Sequence, residues 1–514
     1  MSFALPVFLA GRSWLRAMMR GWPALLPALV FLPVLLLPPV NHDVAAVLSF
    51  AERWLAGELL YVDLIDVNPP LVFVLNLLPA GLARVTGLGG VAALQLCLVV
   101  LCLGVWRLAL AVRDRAAEGR VERAVLDVLP GLVAFGAGYD FGQRETLMAA
   151  MALPYLLAAA RRMQGEVPRR VVLAAVVARV GFALKPHFLV VPALVELAVL
   201  VARRRALGAA LRDPAPWAMA AVWAVYLASL PVLFPDYLGA VVPLVLDYYL
   251  ANGGQTPLSL LVIPRMGTAV AFLLPLAAMA FLWGGALARV LALAGLGAVA
   301  SALAQHKGWS YHIMPIELFA CALAVVLAAR WLDGLGPRFP VRVAAGLGWL
   351  FVLFLVAAGE APWNQLGWRH SDAHALTRML REHAGGERVL VLSPGIAPIY
   401  PALNYARARM TLRTMNIWLL EGAYQDCPAD GRRYRETWEM GRPEFFVYRT
   451  VAEDFARAPP AAVVLDEMAA IPECGGEAFS LEAYFSRHPL FAEVWSHYVE
   501  VGRHGRYRVY ARRG

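Results

Sequence analysis

The chain has 514 residues, 60% of them hydrophobic and only 16% charged, with a formal net charge of +9. An ordinary soluble domain carries roughly 25% charged residues, so the composition excludes a water-soluble globular enzyme. The positive excess comes almost entirely from arginine and reads as topogenic. No basic patch with aromatic or groove-reading elements, of the kind nucleic acid requires, is visible.

Residues 1–20 hold an apolar run too short to span, followed by Arg12, Arg16 and Arg20 and no small-residue cleavage site. This pattern predicts a cytoplasmic N-terminus rather than a cleaved signal peptide. Apolar runs of the roughly 20 residues needed to cross a bilayer then recur as far as residue 358. The expected crossings are 21–40, 91–112, 124–138, 146–160, 171–184, 187–202, 215–234, 266–286, 290–304, 313–329 and 343–358. Cytoplasmic loops collect basic residues, and 113–123, 161–170, 203–212 and 330–342 are rich in arginine. The alternate connections at 41–67, 139–145, 185–187, 235–257 and 305–312 then lie outside. The segment 69–85 is also apolar, but a crossing there would turn every later arginine loop outward. It is expected to lie on the outer surface or to re-enter. The expected fold class is a polytopic α-helical membrane domain of about 11 spans over 1–358, with a first outer loop and surface helix at 41–90. An extracytoplasmic, periplasmic α/β domain follows over 359–514. The expected location is a bacterial inner membrane.

In that last domain the apolar runs 388–393 and 461–466 read as buried strands. The stretch 371–383 is polar and partly helical, and 498–512 alternates around Gly505 as a pair of terminal strands. His370, His374, His383, His488, His497 and His504 form no recognisable metal motif and read as surface histidines. Cys97, Cys102 and Cys321 fall in spans and read as small packing residues. Cys427 and Cys474 are the cysteines of the soluble domain and outside the cytoplasm could form a disulfide.

Of the 46 basic residues only two are lysine, Lys185 and Lys307. Both sit in short outer connections, Leu-Lys-Pro-His at 184–187 and Gln-His-Lys-Gly-Trp-Ser-Tyr-His at 305–312. His187, His306, Tyr311 and His312 are their polar and aromatic company. A lysine ammonium is a compact point charge suited to a phosphate oxygen. The blander alternative is that both merely snorkel to water. A further outer turn, 138–146, carries Arg144 between Asp140 and Glu145, either as a local ion-pair cluster or as a phosphate-binding arginine with an assisting acid. The first outer segment places Asp43 just beyond the first span, and Asp63 and Asp66 before Pro69 and Pro70. Each of these is either a solvated loop acid or a functional carboxylate. The charges cluster on one side of the membrane rather than at mid-bilayer, which favours interfacial chemistry over a transport path.

These residues occur in an order that resembles the polyprenyl-phosphate-sugar-dependent glycosyltransferases of the GT-C fold, which include protein O-mannosyltransferases and lipid A aminoarabinose transferases. The resemblance rests on Asp43 after the first span, the Gly-x-x-x-Tyr-x-Asp stretch from Gly57 to Asp63, and Asp66 shortly before Pro69-Pro70-Leu71. It is good over about 20–160, loose to about 330 and only architectural beyond 360. It implies that the Pro-Pro-Leu helix lies along the outer membrane surface, and that Asp43 is the general base that deprotonates an acceptor hydroxyl. Asp66 takes the place of the family's acid before the prolines. Many relatives have a lysine close to these prolines. This chain has Asp66-Val67-Asn68 instead, so Lys185, Lys307 or Arg144 would have to supply the phosphate contact.

The expected reaction is inverting transfer of a hexose or pentose from a polyprenyl phosphate to a hydroxyl of a lipid, glycan or protein. Asp43 and Asp66 are the catalytic candidates. Asp63, Arg144, Glu145, Lys185, His187, His306, Lys307, Tyr311 and His312 are the candidates for binding substrate and phosphate. Carboxylates in oxygen-rich surroundings would suit Mg²⁺ or Mn²⁺, but the spacing is not diagnostic and no metal is expected. The competing readings are a transporter or flippase for a lipid-linked glycan, and an O-antigen polymerase or ligase using a diphosphate-linked donor.

Overall fold

A computed structural model of the protein describes residues 23–29, 31–249, 254–358, 363–424, 426–428 and 430–513. The expected cytoplasmic N-terminus, 1–20, lies outside the described residues. Six helices are long and apolar enough to cross a membrane: Gly90–Val112, Pro214–Leu233, Pro264–Trp283, Gly285–Ala304, Ser310–Gly334 and Pro340–Ala357. The pair Pro186–Ala202 and Arg204–Leu211, bent by 71°, makes a seventh if taken as one span. The chain is thus a polytopic helical membrane protein with a small C-terminal sheet.

These six or seven helices do not by themselves confirm eleven separate crossings. Val171–Phe182 has only 12 residues, about 18 Å of helix against a hydrocarbon core of about 30 Å. Arg120–Phe135 has 16. Arg144–Met163 has 20 but carries Arg144 and Glu145 in its first turn and Arg161 and Arg162 in its last. The first expected crossing, 21–40, lies partly outside the described residues. The Pro-Pro-Leu helix runs Leu71–Thr86, 16 residues ended by left-handed Gly87 at φ 74°. At about 24 Å it too is shorter than the hydrocarbon core.

Tertiary contacts divide the chain into two units. The first comprises Met1–Leu37, Leu98–Val225 and Gln255–Gln365; the second comprises Pro38–Cys97, Tyr226–Gly254 and Leu366–Gly514. The last apolar helix ends at Ala357, and residues 38–97 and 226–254 pack as one unit with residues 366–514.

The first unit is a helical bundle whose small residues permit close backbone approach. A Cβ added to Gly297 would lie 2.9 Å from Val191 Cα. Several of its arginines are held in buried ion pairs. Buried Arg162 donates to both Glu196 oxygens at 2.7 and 2.8 Å and to Asp213 at 2.6 Å. Tyr155 donates to the same Glu196 at 2.8 Å, and Arg203 to Asp213 at 3.1 Å.

In the second unit the sheet has the order β2-β1-β3-β5-β4. Its strands are β1 (Arg388–Leu392), β2 (Arg409–Met410), β3 (Ala462–Asp466), β4 (Tyr498–His504) and β5 (Tyr507–Arg512). β1 runs parallel to β2 and β3, while β5 is antiparallel to both β3 and β4. The central strands β1 and β3 are apolar on both faces, as strands covered on both sides must be. Gly505 turns the β4–β5 hairpin at φ 56°, where a residue with a Cβ would be strained.

Cys427 and Cys474 are bonded, with Cα atoms 5.5 Å apart and a sequence separation of 47. A cross-link closing so long a loop chiefly restricts the unfolded chain and is worth about 2–4 kcal/mol. Reduction of the full-length protein should therefore lower its melting temperature. Alkylation should modify both thiols only after reduction, and labelling without reductant would refute the bond.

Candidate active site

Three connections of the first unit bring charged groups together. The turn before Arg144–Met163 bends at Gly142, φ 88°, and presents Arg144 and Glu145 at the start of that helix. Lys185 and His187 lie in the break between Val171–Phe182 and Val190–Ala202, where Pro186–Leu189 forms a 3-10 turn. The third connection, 305–309, uses His306 at φ 56° and Gly308 at φ 63° to lead Lys307 into Ser310–Gly334.

Lys185 Nζ donates to Glu145 Oε1 at 2.5 Å and to Gln305 Oε1 at 2.9 Å. It also lies 5.4 Å from the centre of the Tyr311 ring. His312 Nε2 is 3.8 Å from the same Glu145 oxygen. His312 is within electrostatic range of Lys185, His187, Arg144 and Lys307. Arg144, Glu145, Lys185, Lys307 and His312 are all buried, and burial lowers the pKa of the Lys307 ammonium. Glu145 Oε2, His187 Nε2 and His312 Nδ1 are buried with no hydrogen-bond partner. Such orphaned polar atoms call for a ligand or water. Glu145 meets Lys185 and His312, and His312 also feels His187, Arg144 and Lys307, a gathering of cations and imidazoles able to receive an anion.

The second unit holds the acids of the first outer segment. Asp43 lies in the first turn of His42–Leu55, where the positive end of the helix dipole favours a carboxylate. Asn41 caps that helix by accepting from Asp43 N at 2.9 Å and Val44 N at 3.4 Å. His42 Nε2 stands 3.7 Å from Asp43 Oδ1. Asp66 Oδ1 accepts from the backbone and side chain of Asn68, at 2.8 and 2.7 Å, which sets the turn into the paired prolines. Tyr61, Tyr237 and Tyr400 all feel the Asp66 charge. Burial first, with Asp66 adding to it, pushes Tyr237 and Tyr400 up to about 12, so these phenols are neutral donors at physiological pH. Among the described residues, no group of three His, Cys, Asp or Glu side chains is placed to hold a metal ion.

No protein-family model matches the sequence, and no curated protein does. Among solved structures, the crystal structure of ArnT from Cupriavidus metallidurans bound to undecaprenyl phosphate aligns with a TM-score of 0.52 and 13% identity, over 96% of this chain and 97% of that one. The chain has the GT-C fold. The cryo-EM structure of the arabinofuranosyltransferase AftD from Mycobacteria also aligns, with a TM-score of 0.42 and 16% identity, over 96% of this chain and 40% of that chain.

Within this GT-C fold the residues singled out by sequence fall into distinct places. Arg144, Glu145, Lys185, His187, Lys307, Tyr311 and His312 gather in the first unit. His306 is not part of that gathering: its ring contacts the Gln255 carbonyl at 3.1 Å and its own carbonyl accepts from Gln255 N at 2.7 Å. Asp63 closes its own turn by accepting from Leu59 N at 3.0 Å, with Arg457 at 4.0 Å. Gln305, which accepts from Lys185, is not marked out by the sequence, because an uncharged amide beside His306 and Lys307 carries no compositional signal. Tyr237 and Tyr400 lie far from Asp66 in sequence and only the fold unites them.

Proposed function

We propose that this chain is a membrane glycosyltransferase that moves a sugar from a polyprenyl phosphate to a hydroxyl of a lipid, glycan or protein acceptor. The observation that carries this reading is the buried cationic cluster around Lys185, set in a fold similar to that of ArnT, whose crystal structure holds undecaprenyl phosphate. In the proposed reaction Asp43 takes the proton of the acceptor hydroxyl as its oxygen attacks the anomeric carbon. The bond from that carbon to the phosphate oxygen breaks, and polyprenyl phosphate departs with the electron pair. Arg144, Lys185 and Lys307 stabilise the charge developing on the leaving phosphate. One displacement inverts the anomeric centre. The arginine-rich connections support a cytoplasmic N-terminus, a periplasmic C-terminal domain and a reaction at the outer face of a bacterial inner membrane.

Mass spectrometry of envelope glycans and lipids tests the proposal. A deletion strain should lack one glycosyl substituent, and the gene should restore it. Purified protein given a polyprenyl-phosphate sugar should release free polyprenyl phosphate in step with acceptor glycosylation. Unchanged envelope chemistry together with movement of intact lipid-linked glycan across vesicles would replace transfer by transport.

A further inference from the structure

The second unit contains a cavity of about 530 Å³, within the range of about 300–1,000 Å³ typical of small-molecule sites. One wall is the segment Tyr237–Tyr249, which is π-helical over Tyr237–Val241 and Val245–Tyr249. π-Helical turns are rare and concentrate at functional sites. This wall contributes Val241, Pro243 and Leu244. The facing wall is the start of the helix Arg442–Arg457. Arg442, Phe445, Phe446 and Arg449 all line the cavity. Their spacing of three, four and seven places them on one helix face, so two aromatic rings are flanked by two guanidinium groups.

The charges at this cavity are Arg442 and Arg449 against Asp247. Arg449 makes an exposed contact with Glu453 at 3.4 Å, a kind of pair that holds weakly, and lies 5.9 Å from the centre of the Phe445 ring. Phe445 is exposed, as is Trp438 just before the helix. Exposed aromatics beside arginines are typical of the lipid headgroup level. A sugar or peptide would ask for several precisely placed polar groups inside the cavity, whereas this lining is mainly aliphatic and aromatic with its positive charge on one helix face.

We propose that this cavity binds an acidic membrane lipid, its hydrocarbon against Val241, Leu244 and Phe446 and its phosphate at Arg442 and Arg449. None of the residues lining this cavity belongs to the cationic cluster around Lys185, and lipid capture there requires no sugar transfer.

The test uses full-length protein and native mass spectrometry with phosphatidylglycerol and phosphatidylcholine of identical chains. The wild type should retain phosphatidylglycerol about tenfold more strongly. R442A/R449A should lose that preference, and Leu244→Trp, which fills the apolar part, should lose retention of both lipids. Undecaprenyl phosphate retention, measured on the same preparations, should be unchanged in both variants and thereby shows that they are folded. Equal retention of the two lipids by the wild type, or a preference that survives in both variants, overturns the proposal. So does a parallel loss of undecaprenyl phosphate, which would give the cavity to the donor.

Discussion

Asp43→Asn is expected to lower sugar transfer by about two to four orders of magnitude, the usual contribution of a general base, while the protein accumulates normally. The substitution keeps side-chain shape and removes only the ability to take a proton. Folding should tolerate it because Asn41, not Asp43, supplies the side-chain oxygen that caps the helix. The proper comparison is Glu52→Gln on the same helix. Nine residues on, Glu52 falls on the opposite helix face, and its oxygen occupies the space that a Cβ on Gly90 would need. Burial pushes its carboxyl up to about 7, so by pKa alone it would be the better base. If Asp43 is the base, Asp43→Asn stops turnover and Glu52→Gln does not. The measurement is initial rate with a polyprenyl-phosphate sugar at equal amounts of purified protein. Wild-type rates from Asp43→Asn, or the reverse ranking, would remove Asp43 from the chemistry.

How far this arrangement was legible in the sequence differs by element. Long apolar helices such as Ser310–Gly334 announce themselves because the bilayer sets a minimum length. β1 and β3 do so because a strand buried on both faces must be apolar throughout. β2, two residues long, has too little sequence to carry a period. The bounds of the short helix Val171–Phe182 are not legible, because apolar composition does not report where a helix ends. The scarcity of lysine drew attention to 185 and 307, but the partner of Lys185 is Glu145, 40 residues away, which local patterning cannot supply. Asp63 and Asp66 share one short loop and look alike in sequence. The fold separates them by giving Asp63 a backbone N–H to cap and surrounding Asp66 with tyrosines.

Lys185→Met separates electrostatic catalysis from structural pairing. Glu145 is 1% exposed at its side chain and Lys185 11%. Removing one member of a buried pair strands the other charge, at about 3–5 kcal/mol. The single variant should therefore unfold at lower temperature and also lose about two to three orders of magnitude in transfer rate, the scale of one lost charge-stabilising donor. Adding Glu145→Gln removes the stranded carboxylate. The double variant K185M/E145Q should recover thermal stability yet stay inactive, because nothing replaces the ammonium at the departing phosphate. Were Lys185 only a structural counter-ion of Glu145, the double variant would regain activity along with stability. Lys185→Arg is a third arm. A planar guanidinium cannot reproduce a compact ammonium that bonds Glu145 and Gln305 at once, so it should keep its charge, retain most of the stability and transfer sugar more slowly than the wild type.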